Sequence, residues 1–226
     1  SLKAADIFSA LLTLKRDCVL GLATGSTPVG MYKELQRRNR NGEISFKDVK
    51  TVNLDEYYPI SPDNEQSYRH FMNENLFNHV DINLSNTHVL NGLAEDPDKE
   101  CAEYDALIDS LGGIDLQVLG IGRNGHIGFN EPDEFLVPVT HKTKLTESTI
   151  EANSRFFASL DEVPRYSLTM GMGSILKARK IIILVSGKEK KEAARRMMEG
   201  VLDTRCPASF LSLHSDVTVI ATEDAI

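Results

Sequence analysis

Short runs of uninterrupted apolar residues are the feature that most constrains the fold of this chain. The clearest run is Lys180 to Val185, in which five branched apolar side chains follow one lysine. Such a run lacks the alternation of a half-exposed strand and is typical of a strand covered on both faces. Similar runs predict strands at Cys18–Leu22, Lys50–Leu54, Leu116–Gly120 and Val217–Ile220.

Stretches with apolar residues at helical spacing alternate with these strands. They predict helices at Lys3–Leu14, Val29–Arg38, Ser67–Leu76, Asp98–Leu111, Ser167–Leu176 and Lys188–Met198. Thr27 is the expected N-cap of the second helix, and Pro28 its first residue. The alternation predicts a Rossmann-like α/β fold, with a doubly wound, mainly parallel sheet and helices on both faces. With 226 residues and neither a repeat nor a linker, we expect a single domain over residues 1–226.

Composition and charge indicate whether this protein binds nucleic acid, a membrane or a small molecule. The net charge is −8 and no basic stripe is present, so nucleic acid is not an expected partner. No apolar run approaches the roughly 20 residues that a membrane span needs, and the first residues lack a signal-peptide pattern. The three cysteines are widely spaced, which is typical of reduced thiols. We therefore expect a cytoplasmic protein that acts on a small molecule.

Polar loops follow four of the predicted strands. They cover residues 23–27, 55–58, 123–131 and 186–190. In open α/β sheets, ligands bind in the crevice beyond the carboxyl ends of the strands. We therefore expect these loops to converge on one pocket.

The first of these loops joins a strand to a helix. Thr24, Gly25, Ser26 and Thr27 combine small side chains and hydroxyl groups with the unpaired N–H groups of a helix N-terminus, which suits a phosphate. The loop matches neither a Walker A sequence nor G-x-G-x-x-G, so nucleotide binding is not indicated. A capped tight turn without a ligand remains the alternative interpretation.

The second loop contains two adjacent carboxylates, Asp55 and Glu56, just past a strand. A carboxylate there can move a proton if burial raises its pKa. Only one of two adjacent side chains points easily into a given pocket, and the sequence does not say which. A solvated acidic turn is the alternative.

The loop from Gly122 to Pro132 is the most distinctive. It places His126 on a glycine-rich turn, with Asn124 before it and Glu131 five residues later. A histidine gives and takes protons near neutral pH, and a carboxylate can orient its ring. A structural histidine with the same hydrogen bonds is the alternative. The chain has no H-E-x-x-H motif, Cys/His cluster or calcium loop, so no metal site is predicted.

Two further segments offer cations for a phosphate. Arg155 follows Asn153-Ser154, and Lys190 lies at the start of a charged helix. Arginine suits bidentate phosphate binding, whereas lysine acts as a point charge. Lys191, next along the helix, is expected to be solvated.

Four segments resemble the glucosamine-6-phosphate deaminase family, in the family's order and at compatible spacing. They are Leu20–Pro28, Asn53–Tyr57, Gly120–Pro132 and Asn153–Phe157. The resemblance implies conversion of glucosamine 6-phosphate and water to fructose 6-phosphate and ammonium, without a redox cofactor or a catalytic metal.

The resemblance also implies a role for each matching residue. Asp55 would move a proton between C2 and C1, and His126 would open the pyranose ring. Glu131, together with Asn124, would orient that histidine. The phosphate would be held by Thr24, Gly25, Ser26, Thr27, Arg155 and Lys190.

This chain departs from the family pattern in two places. Some members have aspartate where this chain has Asn124, so only Glu131 is charged beside His126, and the imidazolium is expected to be less stabilised. Allosteric hexameric members bind an activator phosphate through a serine shortly after Asn-Glu-Pro and through an arginine and a lysine further on. This chain has Asp133–Phe135 and His141–Thr143 in those places, and Glu134 would repel that anion. We therefore expect no such activation, and a monomer or a small homo-oligomer.

Two other functions remain alternatives. A 6-phosphogluconolactonase has the same kind of sheet, but its hydrolysis would not need Asp55 to carry a proton between carbons. A sugar-phosphate sensor domain normally accompanies a DNA-binding helix-turn-helix, for which one α/β domain over 226 residues leaves no length. A sensor could also function without Asp55 and His126.

Overall fold

The computed structural model describes residues 1–154, 157 and 159–226. Its helices are α1 (Leu2–Leu14), α2 (Val29–Arg40), α3 (Tyr68–Asn75), α4 (Pro97–Ser110), α5 (Glu147–Ser154), α6 (Met172–Leu176) and α7 (Lys191–Met198). Its strands are β1 (Val19–Leu22), β2 (Lys50–Asn53), β3 (Asp55–Tyr58), β4 (Thr87–His88), β5 (Leu116–Gly120), β6 (His141–Lys144), β7 (Tyr166–Thr169), β8 (Ile181–Val185) and β9 (Val217–Ala221). Within the described residues, no helix is long and apolar enough to cross a membrane.

The large sheet contains six parallel strands in the order β4-β2-β1-β5-β8-β9. This arrangement confirms the predicted α/β fold with a mainly parallel sheet. The chain runs outward from β1 through β2 to β4, then returns to β5 and continues in the opposite direction. The order therefore reverses between β1 and β5, and in folds of this kind ligands bind in the crevice at that switch point.

The apolar run that predicted β8 lies within the buried core. All five residues of β8 are buried, and Ile181, Ile182 and Ile183 have no exposed surface. Phe8 of α1, Tyr32 of α2 and Ile108 of α4 belong to the same core cluster. This burial explains why the strand shows no polar alternation.

A smaller antiparallel sheet, in the order β3-β7-β6, lies beside the large one. It corrects two expectations from the sequence, because residues 55–58 form a strand rather than a loop. The predicted helix at Ser167–Leu176 is also wrong: β7 occupies its first part, and α6 begins only after Gly171. The strands pair with partners far away in sequence, which local spacing does not reveal.

One residue, Leu54, connects the two sheets. Its N–H donates to the carbonyl of Leu22 in β1, and its carbonyl accepts from the N–H of Met170 just after β7. The chain therefore leaves the large sheet at Asn53 and enters the small sheet at Asp55. As a result Asp55 lies where the two sheets meet.

Candidate active site

The loop after β1 leaves its backbone donors available to a ligand. The hydroxyl of the buried Tyr32 donates to the carbonyl of Ala23 at 2.6 Å and fixes the start of the loop. Gly25 has a φ of +87°, which glycine adopts without strain. In the part of the chain that the structure describes, the N–H groups of residues 25–27 donate no hydrogen bond to the protein. These groups, on a fixed backbone, can therefore bind an anion.

The helix after this loop begins one residue later than predicted. Pro28, not Thr27, is the N-cap, and Val29 is the first residue of α2. The carbonyl of Pro28 accepts from the N–H groups of Met31 and Tyr32. This shift leaves the hydroxyl of Thr27 without a capping role.

Cationic side chains follow the two neighbouring strands β5 and β8. Lys190 is half-buried in the turn after β8. Burial lowers the pKa of its ammonium group, Glu189 opposes this shift, and Arg123 after β5 reinforces it. The positive charges of Lys190 and Arg123 therefore repel each other, and a bound anion would relieve that repulsion. Arg155, also predicted to bind phosphate, lies outside the described residues.

His126, Asn124 and Glu131 form one hydrogen-bonded group. Nδ1 of His126 lies 2.8 Å from Oδ1 of Asn124 and 3.4 Å from Oε1 of Glu131. Nδ2 of Asn124 donates to Oε2 of Glu131 at 2.7 Å. The three residues that the sequence singled out in this loop are thus brought together.

These contacts determine which nitrogen of His126 carries the proton. The ionised carboxylate of Glu131 only accepts hydrogen bonds, so the NH₂ group of Asn124 must face it. The carbonyl oxygen of Asn124 then faces Nδ1, and both neighbours of Nδ1 are acceptors. A neutral ring therefore carries its proton on Nδ1 and keeps the lone pair of Nε2 for another partner.

Glu131 remains ionised although its side chain is only 11% exposed. Burial alone would raise the pKa of its carboxyl group. Contacts with His126, a hydrogen bond from Thr149 and one from Asn124 outweigh burial and lower that pKa to about 2. Glu131 therefore supplies a fixed negative charge beside His126 over the physiological pH range.

Glycine at position 122 is required by the ring of His126. A β-carbon added at Gly122 would lie 2.3 Å from Nδ1 and Cε1 of that ring. The N–H of Gly122 also donates to the carbonyl of His126 at 2.9 Å, which closes the turn. The backbone of Gly122 therefore packs against the ring of His126 and limits where that ring can lie.

We expect Gly122→Ala to lower the turnover number strongly without unfolding the protein. The added methyl group must displace the ring from its acceptors, and misplacement of a catalytic group by about 1 Å costs on the order of a hundredfold in rate. Steady-state kinetics together with the melting temperature test this expectation. A variant with the kinetics of the wild type would show that the ring does not need its observed position.

Of the two adjacent carboxylates Asp55 and Glu56, Asp55 is the one that faces the loop of residues 122–132. Its side chain is almost fully buried, and burial, with the charge of Glu56 second, raises the pKa of its carboxyl group to about 8. A β-carbon added at Gly128 would lie 3.3 Å from Oδ2 of Asp55. The backbone of the loop from Gly122 to Pro132 therefore passes directly over this carboxyl group.

Glu56 has a different role from its neighbour. Its carboxylate accepts N–H groups from Tyr57 at 2.9 Å and from Tyr68 and Arg69, at the start of α3, at 2.8 and 2.9 Å. Burial raises the pKa of Glu56, and these three donors oppose that rise. The pair is therefore not a solvated acidic turn, because Glu56 anchors a helix and Asp55 faces the site.

Residues that sequence reasoning did not select hold the loop over Asp55. Oγ1 of Thr169, in the small sheet, accepts the N–H of Phe129 at 3.1 Å. The amide of Asn130 donates to the carbonyls of Ile127 and Met170 at 2.9 and 2.8 Å. Thr169 is the register partner of Asp55. Only the pairing of β3 with β7 reveals this relation, and the sequence carried no signal for it.

Comparison with known proteins assigns the chain to a family. Residues 3–220 match the family model described as "Glucosamine-6-phosphate isomerases/6-phosphogluconolactonase". A relative named glucosamine-6-phosphate deaminase from Clostridium beijerinckii is 58% identical over 98% of this chain and 91% of its own length. A relative of the same name from Clostridioides difficile is 54% identical over 100% of this chain and 90% of its own length.

Solved structures give the same picture. A monomeric glucosamine-6-phosphate deaminase is similar with a TM-score of 0.95 and 48% identity, over 98% of this chain and 92% of that one. A 6-phosphogluconolactonase from Thermotoga maritima has a TM-score of 0.74 and 23% identity, over 97% of this chain and 91% of that one. At that identity the second comparison shows a shared fold alone.

Proposed function

The chain belongs to the family of glucosamine-6-phosphate isomerases and 6-phosphogluconolactonases, and we propose that it converts glucosamine 6-phosphate and water to fructose 6-phosphate and ammonium. The observation that carries this proposal is that two side chains capable of acid–base chemistry, His126 and Asp55, adjoin the same loop. His126 is oriented by an amide and a carboxylate, and the buried Asp55 lies beneath the same loop. An aldose-to-ketose conversion needs both, one for ring opening and one for proton transfer between carbons.

Ring opening is assigned to His126. With its proton on Nδ1, the lone pair of Nε2 takes the proton of the anomeric hydroxyl and returns a proton to the ring oxygen. The bond from C1 to the ring oxygen breaks and a free aldehyde forms. The imidazolium that exists between the two transfers is stabilised by the negative charge of Glu131.

Proton transfer between carbons is assigned to Asp55. Its carboxylate removes the proton from C2 of the open-chain sugar, and the aldehyde oxygen takes the proton that the protonated amino group releases, which gives a neutral enolamine. The Asp55 carboxyl group then returns its proton to C1. The product is an imine at C2. Water adds to this imine and ammonia leaves as ammonium, which yields fructose 6-phosphate. A buried carboxyl group whose pKa lies close to the working pH suits both halves of this transfer.

Phosphate binding is assigned to the loop after β1 and to cations beyond it. The free N–H groups of residues 25–27, the hydroxyls of Thr24, Ser26 and Thr27, and the ammonium of Lys190 support this assignment. Arg155 remains part of the proposal on its sequence motif. Holding the phosphate at a distance from the reacting carbons orients C1 and C2 toward Asp55.

For Lys190→Gln, we expect the KM for glucosamine 6-phosphate to rise about tenfold or more, with a smaller change in kcat. The variant loses a charged contact to the phosphate, and such contacts contribute ~1.5–3 kcal/mol. Initial rates over a range of substrate concentrations measure both constants. Lys188→Gln is the matched control, because Lys188 belongs to the same turn but is exposed. Equal behaviour of the two variants would remove Lys190 from the phosphate site.

A direct assay decides the proposed function. The protein is mixed with glucosamine 6-phosphate, and ammonium and fructose 6-phosphate are both measured. We expect equal amounts of the two products. A parallel assay with 6-phosphogluconolactone tests the hydrolase alternative, which requires no proton transfer between carbons and so leaves the buried Asp55 unexplained. Lactone hydrolysis without ammonium release would replace our proposal.

The remaining expectations concern the state of the protein. A monomer or a small homo-oligomer without phosphate-dependent activation stays part of the proposal. It is supported by Glu134, a carboxylate where allosteric relatives bind an anion, and by the resemblance to a monomeric deaminase. A cytoplasmic location is likewise proposed, in keeping with three free, buried cysteines.

A further inference from the structure

We propose that Thr149 is a positioning residue that holds the Glu131 carboxylate against His126 during ring opening. This inference rests on the proposed function, since it assigns a step of that reaction to His126. Oγ1 of Thr149 donates to Oε1 of Glu131 at 2.7 Å. The same oxygen atom of Glu131 lies 3.4 Å from Nδ1 of His126.

The carboxylate of Glu131 needs a donor at each oxygen to keep its orientation. The last torsion of a glutamate side chain is broad, so the side chain alone does not fix the carboxylate plane. Asn124 binds Oε2 at 2.7 Å and Thr149 binds Oε1 at 2.7 Å. Among the residues that the structure describes, the longer contact with His126 would then be the remaining restraint on Oε1 without Thr149.

The direction of the hydrogen bonds around Thr149 is fixed as well. Oγ1 of Thr146 donates to Oγ1 of Thr149 at 2.9 Å and accepts the N–H of Thr149 at 3.2 Å. The hydroxyl of Thr149 therefore accepts one hydrogen bond, from Thr146, and donates one to the carboxylate of Glu131, which can only accept. Hydrogen bonds in such a chain polarise and strengthen one another. The β-branched side chain also restricts the rotamer of Thr149.

The position of Thr149 in the fold makes this contact informative. Thr149 lies on α5, in the connection between two strands of the small sheet, whereas Glu131 follows β5 of the large sheet. The residues are 18 apart in sequence. A contact across this distance that ends on the partner of the catalytic histidine suits a role in the reaction.

Thr149→Val tests the proposal, because it removes the hydroxyl and keeps a branched side chain. We expect kcat to fall about tenfold, a part of the roughly hundredfold or larger factor that a general acid–base group contributes, while KM changes less than about twofold. With substrate deuterated at C2, the isotope effect on kcat should be smaller than in the wild type, because ring opening becomes slower than proton transfer. Thr149→Ser, which keeps the donor, should recover most of the rate.

Thr13→Val is the matched control. Thr13 is an exposed helical threonine on α1 whose hydroxyl donates to the backbone carbonyl of Ser9, and the variant should have the kinetics of the wild type. Full activity of Thr149→Val would overturn the proposal. A loss of activity that leaves the isotope effect unchanged, or that Thr149→Ser shares, would overturn it too.

A measurement that does not depend on turnover separates this inference from the proposed function. Nitrogen-15 NMR of the His126 ring reports which nitrogen carries the proton. We expect the Nδ1-protonated form in the wild type and in Thr149→Ser, and a mixture of forms in Thr149→Val. Identical spectra would refute the role of Thr149. Absence of ammonium release from the wild type would instead refute the proposed function, and the spectra would still decide what Thr149 does.

Discussion

Asp55→Asn is expected to lower kcat by about three orders of magnitude, within the range that a general base contributes. An amide cannot remove the proton from C2, so the open-chain sugar does not proceed to the enolamine. Calorimetry with glucosamine 6-phosphate should still detect binding, because the proposed phosphate-binding loop of residues 24–27 is unchanged. The exposed Asp63→Asn is the matched control and should keep the rate of the wild type. Turnover by Asp55→Asn close to that of the wild type would require a different base.

The same substitution is expected to stabilise the protein at alkaline pH. Burial raises the pKa of the Asp55 carboxyl from 3.8 to about 8. Between these values the folded protein holds a proton that the unfolded chain releases, so the free energy of unfolding falls as pH rises. Below pH ~4 both states are protonated and this contribution disappears.

Asparagine cannot ionise, so Asp55→Asn should melt above the wild type at pH 8, with a smaller difference at pH 5. A change of 1 kcal/mol shifts the melting temperature of a chain of this size by roughly 2–4 °C, and we expect at least that shift. Scanning calorimetry of both proteins at the two pH values measures it. A difference that does not depend on pH would mean that Asp55 ionises as readily in the folded protein as in the unfolded chain.

His126→Gln is expected to lower kcat by about two to three orders of magnitude, because ring opening then depends on the uncatalysed reaction. KM should change little, since the proposed contacts that hold the substrate are mainly those to its phosphate. The isotope effect of C2-deuterated substrate on kcat should approach 1, as proton transfer is no longer the slow step. By contrast, in Asp55→Asn proton transfer itself is impaired.

The exposed His79→Gln is the control for this substitution, because the ring of His79 is hydrogen-bonded to the backbone carbonyl of Glu74, away from the proposed site. It should leave both kcat and the isotope effect at the values of the wild type. A His126→Gln enzyme that keeps the isotope effect of the wild type would show that His126 acts after ring opening. Full activity of the variant would return His126 to a structural role.

Local patterns predicted the parts of the fold that depend on local sequence. The run at Ile181–Val185 and the helices α1, α2, α3 and α4 all occur within a few residues of their predicted bounds. Polarity along the chain gave no indication of the small sheet. β6 alternates between half-buried and exposed residues, and β7 owes its burial to partners that lie far away in sequence.

In the site, too, some contacts join residues of one loop, whereas others depend on elements that lie far away in sequence. His126, Asn124 and Glu131 lie within one loop, so their spacing already placed them together. The choice between Asp55 and Glu56 depended on α3, whose first N–H groups bind Glu56. The sequence around Thr149 did not indicate a role in the site, because the contact of Thr149 with Glu131 depends on where α5 packs.

The single residue between β2 and β3 has a consequence for which sugars can react. Leu54 places Asp55 on the small sheet, while the proposed phosphate loop extends from the large sheet. The junction of the two sheets therefore sets the distance between the phosphorus atom and the carbon that loses its proton. A sugar whose phosphate is attached one carbon nearer to its amino group would present the wrong atom to the base, however well its phosphate fitted the loop.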